Sequence, residues 1–348
     1  MKVSFVSTQA ITQAMRYQMA RMQTDLVSAN KEAVTFRVAD RGLALGARTG
    51  MSVSFHRDID RLKGLTDSNE LAASRLASTQ VILNQMKDDA DSLLSAFTTA
   101  LSSASDPNIA KDQAEVFIAS MTSSLNAHLN GEHLFAGINT DVKPLDDFLD
   151  PASTSATEFN ELFEGHFGFY PDDTDVSDIT AAEMEDFLDN VVEPYFMGTG
   201  WTDHWSSATD QQIVSRITLT ETAETSVSAN IDPFRKLAMA AATISVLVGR
   251  DLQSTTKSAL LEKAISDLGA GISGIANQTG YTGITEQRID RANERMSMQV
   301  DIISKSLIDI EGVDESEAAV KVNGLIAQIE LSYTLTSRMQ QMSLLKFL

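Results

Sequence analysis

Between residues 62 and 97 a stripe of side chains, apolar but for Asn69 and Thr79, recurs at strictly alternating gaps of three and four: Leu62, Leu65, Asn69, Ala72, Leu76, Thr79, Leu83, Met86, Ala90, Leu93 and Phe97. An α-helix turns once in 3.6 residues, so such positions line up as one stripe. A stripe kept up over several heptads specifies a long helix that buries one face against other helices, in the manner of a coiled coil. Asn69, the amide within the stripe, is expected to fix the register of that packing.

The two ends of the chain carry similar stripes. Met15, Met19, Met22, Leu26, Ala29, Ala33 and Phe36 form one, and Leu331, Leu335, Met339, Met342 and Leu345 form the other, which runs on into Lys346, Phe347 and Leu348. The two are expected to pair. Both are rich in Met and Ala and poor in large side chains. Burial yields roughly 25 cal/mol per Å², while ordering costs more than about 1 kcal/mol per residue, so a lone pair of this kind is marginal. The ends are therefore expected to become ordered against other subunits.

Taken in order, residues 4–36 read as a helix, and 37–49, broken by Gly42, Gly46 and Gly50, as a loop or hinge. After the long helix, Asp106 and Pro107 restart the chain with a cap and a first-turn proline. The new helix turns Ala110, Ala114, Phe117, Met121 and Leu125 inward, and Gly131 is placed to end it. Beyond Leu134, Phe135, Ala136 and Gly137 the heptads stop. Aromatic residues, Pro, Gly, Asp and Thr accumulate in a separate insert, with a short acidic helix over 181–192 and a strand over 213–222 that puts Ile213, Ser215, Ile217 and Leu219 on one face. Asp232 and Pro233 restart the helices. Stripes follow through Phe234, Leu237, Ala241, Ile244 and Val248, then Leu261, Ile265, Leu268, Ile272 and Ile275. A glycine break is expected over 280–283, before a last seam from Ile289 to Ile310 and a new segment near Gly312.

The expected fold is mainly α: a long antiparallel helical, coiled-coil bundle formed by the N- and C-terminal segments, with a central inserted α+β domain. Its parts are a terminal helical domain of residues 1–45 plus 312–348, a helical bundle of 46–140 plus 233–311, and an acidic variable insert of 141–232.

Composition narrows the function. Cysteine is absent from the 348 residues, which excludes disulfides and thiolate metal sites, and aromatic residues make up only 6%, as long seams of Leu, Ile, Met and Ala would give. Residues 141–232 hold 13 Asp and 8 Glu against Lys143 and Arg216, so 19 of the 21 net negative charges sit in the insert. Such a surface repels nucleic acid and anionic membrane, and neither is expected as a partner. No basic region followed by an apolar run opens the chain, and no stretch approaches the ~20 apolar residues of a membrane span, so export would take a dedicated machine that accepts an uncleaved chain.

Chemical motifs fail on their context. Gly269, Gly271 and Gly274 spell G-x-G-x-x-G, but an amphipathic helix precedes them where a nucleotide site needs a strand, so close helix packing or a flexible joint is the reading kept. His166 and His204 lie among carboxylates at no ligand spacing. Asp173, Asp175 and Ser177 begin like a calcium loop, yet Asp178 stands where glycine belongs and Met184 where a bidentate Glu belongs. There is no G-x-S-x-G elbow, no phosphate loop and no cysteine nucleophile. No catalytic residue, cofactor or metal ligand is expected, and the chain reads as structural and not an enzyme.

Three stretches carry a resemblance: residues 38–48 (Val-Ala-Asp-Arg-Gly-Leu-Ala-Leu-Gly-Ala-Arg), residues 130–137 (Asn-Gly-Glu-His-Leu-Phe-Ala-Gly) and the ending from Ala318 to Leu348. With them the chain resembles the flagellin-like axial proteins of the bacterial flagellum, and among these the hook-filament junction branch, hook-associated protein 3, of alphaproteobacterial type. Thr35-Phe36 departs from the Ser-Gly turn usual in flagellins. The resemblance implies an extracellular structural adaptor joining hook to filament. Its partners would be further copies of itself in a ring, flagellin, another hook-associated protein, an export chaperone and the type III export apparatus. The expected assembly interface is Met15, Met19, Met22, Leu26, Phe36, Leu331, Leu335, Met339, Met342 and Leu345. The alternatives are a flagellin filament subunit and, in another class, a secreted cation- or carbohydrate-binding module.

Overall fold

The structure, a computed structural model, describes residues 8–102 and 107–344, and the side chains of all of these but 8, 9, 107 and 339–344. In chain order its helices are α1 (Thr8–Thr35), α2 (Arg41–Leu45), α3 (Thr49–Ser102), α4 (Pro107–Leu125), α5 (Thr154–Phe167), α6 (Ala181–Phe187), α7 (Glu193–Met197), α8 (Asp232–Leu247), α9 (Ser254–Glu311) and α10 (Glu315–Leu344). Two small antiparallel hairpins complete it: β1 (His128–Leu129) with β2 (Glu132–His133), and β3 (Val214–Arg216) with β4 (Thr222–Glu224). The fold is mainly α. Contacts divide it into two compact units, Met1–Gly64 with Arg295–Leu348, and Leu65–Glu294, and both α3 and α9 contribute to each.

In the first unit α1 pairs with α10. Helix α1 stops at Thr35 because Phe36 takes φ 53, a left-handed geometry that costs a bulky residue about 1–2 kcal/mol and that glycine adopts freely. The departure from a Ser-Gly turn thus falls on the residue that bears the strain. The chain then bridges Arg37 to Gly312, and Asp40 caps α2 by accepting the Leu43 N–H at 3.0 Å. Gly46, at φ 51, leads through a 3-10 turn into α3, where the Thr49 hydroxyl donates to the Gly46 carbonyl at 2.8 Å. The expected glycine hinge over 37–49 is therefore mostly helical, since caps at both ends satisfy the backbone groups that short turns leave open. Asp314 starts α10, its carboxylate accepting from the N–H groups of Ser316 (2.8 Å) and Glu317 (3.0 Å).

The second unit bears out the stripe from which the reading began. Every seam position from Asn69 to Phe97 on α3 is buried, while Leu65 is half-buried. Asn69 donates to Asn293 Oδ1 on α9 (2.7 Å) and to the Ile217 carbonyl of the β3-β4 hairpin (2.9 Å), so it ties three elements at one height. Helix α4 starts at Pro107 and buries Ala110, Ala114, Phe117, Met121 and Leu125 as expected; its cap Asp106 and the first residues expected of the N-terminal helix, 4–7, lie outside the described residues. Asp232 and Pro233 open α8.

Three expectations are corrected. Gly131 does not end α4, which stops at Leu125; with Asn130 it makes the β1-β2 turn, both at positive φ (55 and 88), as the tight hairpin turn demands. The strand over 213–222 is a hairpin instead: Ile217 is buried, but the chain reverses after it and leaves Leu219 exposed. No break occurs over 280–283, where α9 runs through unbroken, because tertiary packing of its apolar face outweighs the low helix propensity of glycine. The residues of the insert also share one core with the bundle. Phe148 stacks on Trp205 at 4.7 Å and Trp201 on Trp205 at 5.5 Å, within a cluster that continues through Phe135, Phe234 and Leu237.

The glycines of α9 differ in use. A Cβ on Gly271 would stand 2.6 Å from Leu237 Cδ2, and one on Gly274 would run into the rigid Pro233 ring, so both let α8 approach closely; a Cβ on Gly280 would meet open space. Gly274→Ala should therefore lower stability by roughly 1–3 kcal/mol, and Gly280→Ala should raise it by about 0.5–1 kcal/mol. Urea unfolding midpoints of the two variants check this, since propensity alone would move both in the same direction.

Candidate functional site

Helices α1 and α10 pair through stripes. On α1 the expected seam is in place: Met15, Met19, Met22, Leu26 and Ala33 are half-buried and Ala29 is fully buried. Phe36 is not part of it, since it lies beyond the helix end and is 48% exposed. On α10 the inner seam is a different one from that expected. Ala318 is buried, and Val322, Leu325, Ile329, Ser332 and Thr336 are half-buried at gaps of four and three. Leu331 and Leu335 are 61% and 46% exposed. Leu331 follows Ile329 by two residues, about 200° around the helix at 3.6 residues per turn, so it lies on the far face. Met339 and Met342 belong to the helix, with side chains outside the description, and Leu345 lies outside the described residues. The signal for the inner seam was in the sequence, in the spacing of Ala318, Val322, Leu325 and Ile329.

Polar contacts set the register of the pair. Gln23 donates to the Tyr333 hydroxyl at 3.1 Å, and Lys321 Nζ lies 2.9 Å from Glu32 Oε2. Hydrogen bonding from Lys321 holds the Glu32 carboxyl below its ordinary range, and the Ala39 N–H donates to its other oxygen. Away from these contacts, Tyr17, Val27 and Val34 on α1 and Val320, Ile326, Leu331 and Leu335 on α10 are all exposed. A helix that is apolar on two faces has one face for its own chain and one left over.

Several of the insert's histidines and carboxylates make contacts within the fold. Asp173 caps a 3-10 turn by accepting the Asp175 N–H. His204 Nδ1 lies 3.2 Å from the Tyr195 hydroxyl, whose acidity burial weakens, and His166 Nε2 lies 3.8 Å from Asp186. Among the described residues no group of three or more His, Asp or Glu is placed to hold a metal ion, and no helix is long and apolar enough to cross a membrane. The G-x-G-x-x-G glycines lie inside α9 and not at a helix N-terminus.

These features define a class: helical structural proteins whose chain ends form one long pair with an unused apolar face. Residues 6–140 match the N-terminal helical region of bacterial flagellin and residues 265–348 its C-terminal helical region, together more than half of the chain. The chain belongs to the flagellin-like proteins, structural components of the bacterial flagellum that assemble with one another. In fold it is similar to a solved structure described as a flagellar hook-associated protein from Vibrio parahaemolyticus, at 10% identity and a TM-score of 0.52, over 76% of this chain and 97% of that one. No curated protein matches the sequence.

One buried acid in the second unit has a measurable consequence. Lys263 on α9 reaches Asp189 (2.7 Å) and Glu193 (2.6 Å), and Asp267, one turn on and 9% exposed, has its carboxyl pushed up to about 6, first by burial and then by the Glu193 and Asp189 charges, against Lys263. The folded chain thus binds this proton more tightly than the unfolded chain, so this group's contribution to stability is greatest below about pH 4 and is lost as pH rises to about 6. Asp267→Asn should be more stable than the parent by roughly 1–3 kcal/mol at pH 7.5 and equal to it near pH 4. Thermal midpoints at the two pH values check the sign.

Proposed function

We propose that this chain is the structural adaptor that joins the flagellar hook, through another hook-associated protein, to the flagellin filament. In this reading it forms a ring of its own copies through the terminal helices. The observation that carries the proposal is the second apolar stripe on α10, with Leu331 and Leu335 exposed while a separate seam packs on α1. The fold likeness to a hook-associated protein supports this branch of the family, as do residues 130–137, built as a hairpin followed by the buried run Leu134, Phe135, Ala136 and Gly137.

The proposal includes export through the type III apparatus as an uncleaved chain, with a chaperone holding an amphipathic terminal helix. The assembly residues are Met15, Met19, Met22, Leu26, Phe36, Leu331, Leu335, Met339, Met342 and Leu345, with residues 1–45 and 312–348 innermost and the acidic residues 141–232 outermost. A second reading, a filament subunit, is favoured by the two matched regions being those of flagellin itself.

Leu331→Asp with Leu335→Asp changes exposed positions, so the monomer should keep its helix content and its stability to within about 0.5 kcal/mol while assembly is lost. Leu325→Asp, on the inner seam, should instead loosen α1 from α10. Circular dichroism and sedimentation separate the two, and a Leu331/Leu335 variant that assembles normally would refute the interface.

Electron microscopy of cells lacking the gene, with an immunoblot of the medium for flagellin, tests the role. Hooks without filaments and flagellin lost to the medium are expected of the adaptor. Hooks without filaments and no separate flagellin released indicate the filament subunit, and normal flagella would overturn both.

A further inference from the structure

Glu311, the last residue of α9, has a side chain with no exposure at all. Its Oε1 accepts from the Ser52 hydroxyl (2.5 Å), lies 3.1 Å from His56 Nε2 and forms an ion pair with Arg41 Nε at 3.1 Å. Its Oε2 makes no hydrogen bond and lies 3.7 Å from Arg37 Nη1. The Glu311 carbonyl accepts the Val38 N–H at 2.9 Å, and two residues on the Val313 N–H donates to the Phe36 carbonyl at 3.0 Å. Burial by itself would raise the carboxyl, but Ser52, His56 and Arg41 outweigh it and hold the group below its ordinary range.

Side chains from the segment after α1, from α2 and from the first turns of α3 therefore converge on one carboxylate at the end of α9. A buried charge of this kind is tolerated only while all its partners stay in place, and two of them, Arg37 and Arg41, belong to a segment that has little other packing. Residues 36–44 and 312–317 bury no side chain, and the neighbouring turn is held open by the left-handed Phe36.

We propose that Glu311 is the positioning residue of this joint. It fixes the direction in which α1 ends and α10 begins against the start of α3, and so the orientation in which the terminal pair presents its outward stripe. The orienting role rests on the assembly reading above; the latch itself does not.

Hydrogen exchange on the full-length Glu311→Gln variant tests the latch, because the isosteric amide removes the charge and keeps the volume. Amides of residues 36–45 and 312–318 should exchange at least tenfold faster than in the parent chain, while those of residues 83–97 keep their protection. Unchanged protection at the joint would overturn the proposal, and so would a loss spread evenly over the chain. Should the amide variant fail to fold, Ser52→Ala, which removes one donor and leaves the charges, decides: faster exchange confined to the same two segments supports the latch, and no change there refutes it. Normal assembly of the Leu331/Leu335 variant would defeat the assembly reading and leave the exchange result standing.

Discussion

Everything in this chain follows from the need of long helices to cover their apolar stripes. A helix of 54 or 58 residues, such as α3 or α9, has no use for a globular surface. Its stripe needs facing helices over its whole length, and the chain supplies them from its own distant parts, so that residues far apart in sequence lie side by side. Asn69 shows the consequence for specificity: its buried Nδ2 donates to Asn293 and to the Ile217 carbonyl at one register only, and a slip of one turn would strand it.

The same rule explains the ends. Helix α1 has one stripe and uses it on α10; α10 has two. The inner one, through Val322, Leu325 and Ile329, is built of ordinary core side chains, whereas the outer one, through Leu331 and Leu335, stays in water. Exposed apolar side chains at helical spacing lower the solubility of a monomer, and they persist where another surface covers them.

Much of this was legible beforehand, because a period of 3.6 over many turns is a strong signal. The α3 stripe and the pairing of the ends came from spacing, and the start of α8 from the Asp232-Pro233 pair. What spacing could not give was the choice between two stripes on one helix: Leu331 and Leu335 look as core-like as Leu325 and Ile329, and only the position of α1 tells them apart. Glycines misled for a related reason. At Gly131 backbone conformation governs, at Gly271 and Gly274 the closeness of α8, and at Gly280 neither, and sequence shows the same letter in each case. The Glu311 cluster was invisible, since its members lie more than 250 positions apart and each reads singly as an ordinary polar residue.

The acidic segment completes the argument. Its 21 carboxylates make it look like a separate, solvated domain, yet its aromatic side chains are among the most buried in the molecule: Trp201, Phe159, Phe163, Phe187 and Phe196 are all inaccessible. Charge outside and rings inside are two aspects of one design. The rings attach the segment to the bundle through a common core, and the charge keeps that part of the surface from sticking to its like. The apolar stripe of α10 and the carboxylates of residues 141–232 belong to different units of the chain, and each bears on association through its own physics. Like charges repel over about a Debye length, whereas exposed apolar side chains gain only where another surface touches them.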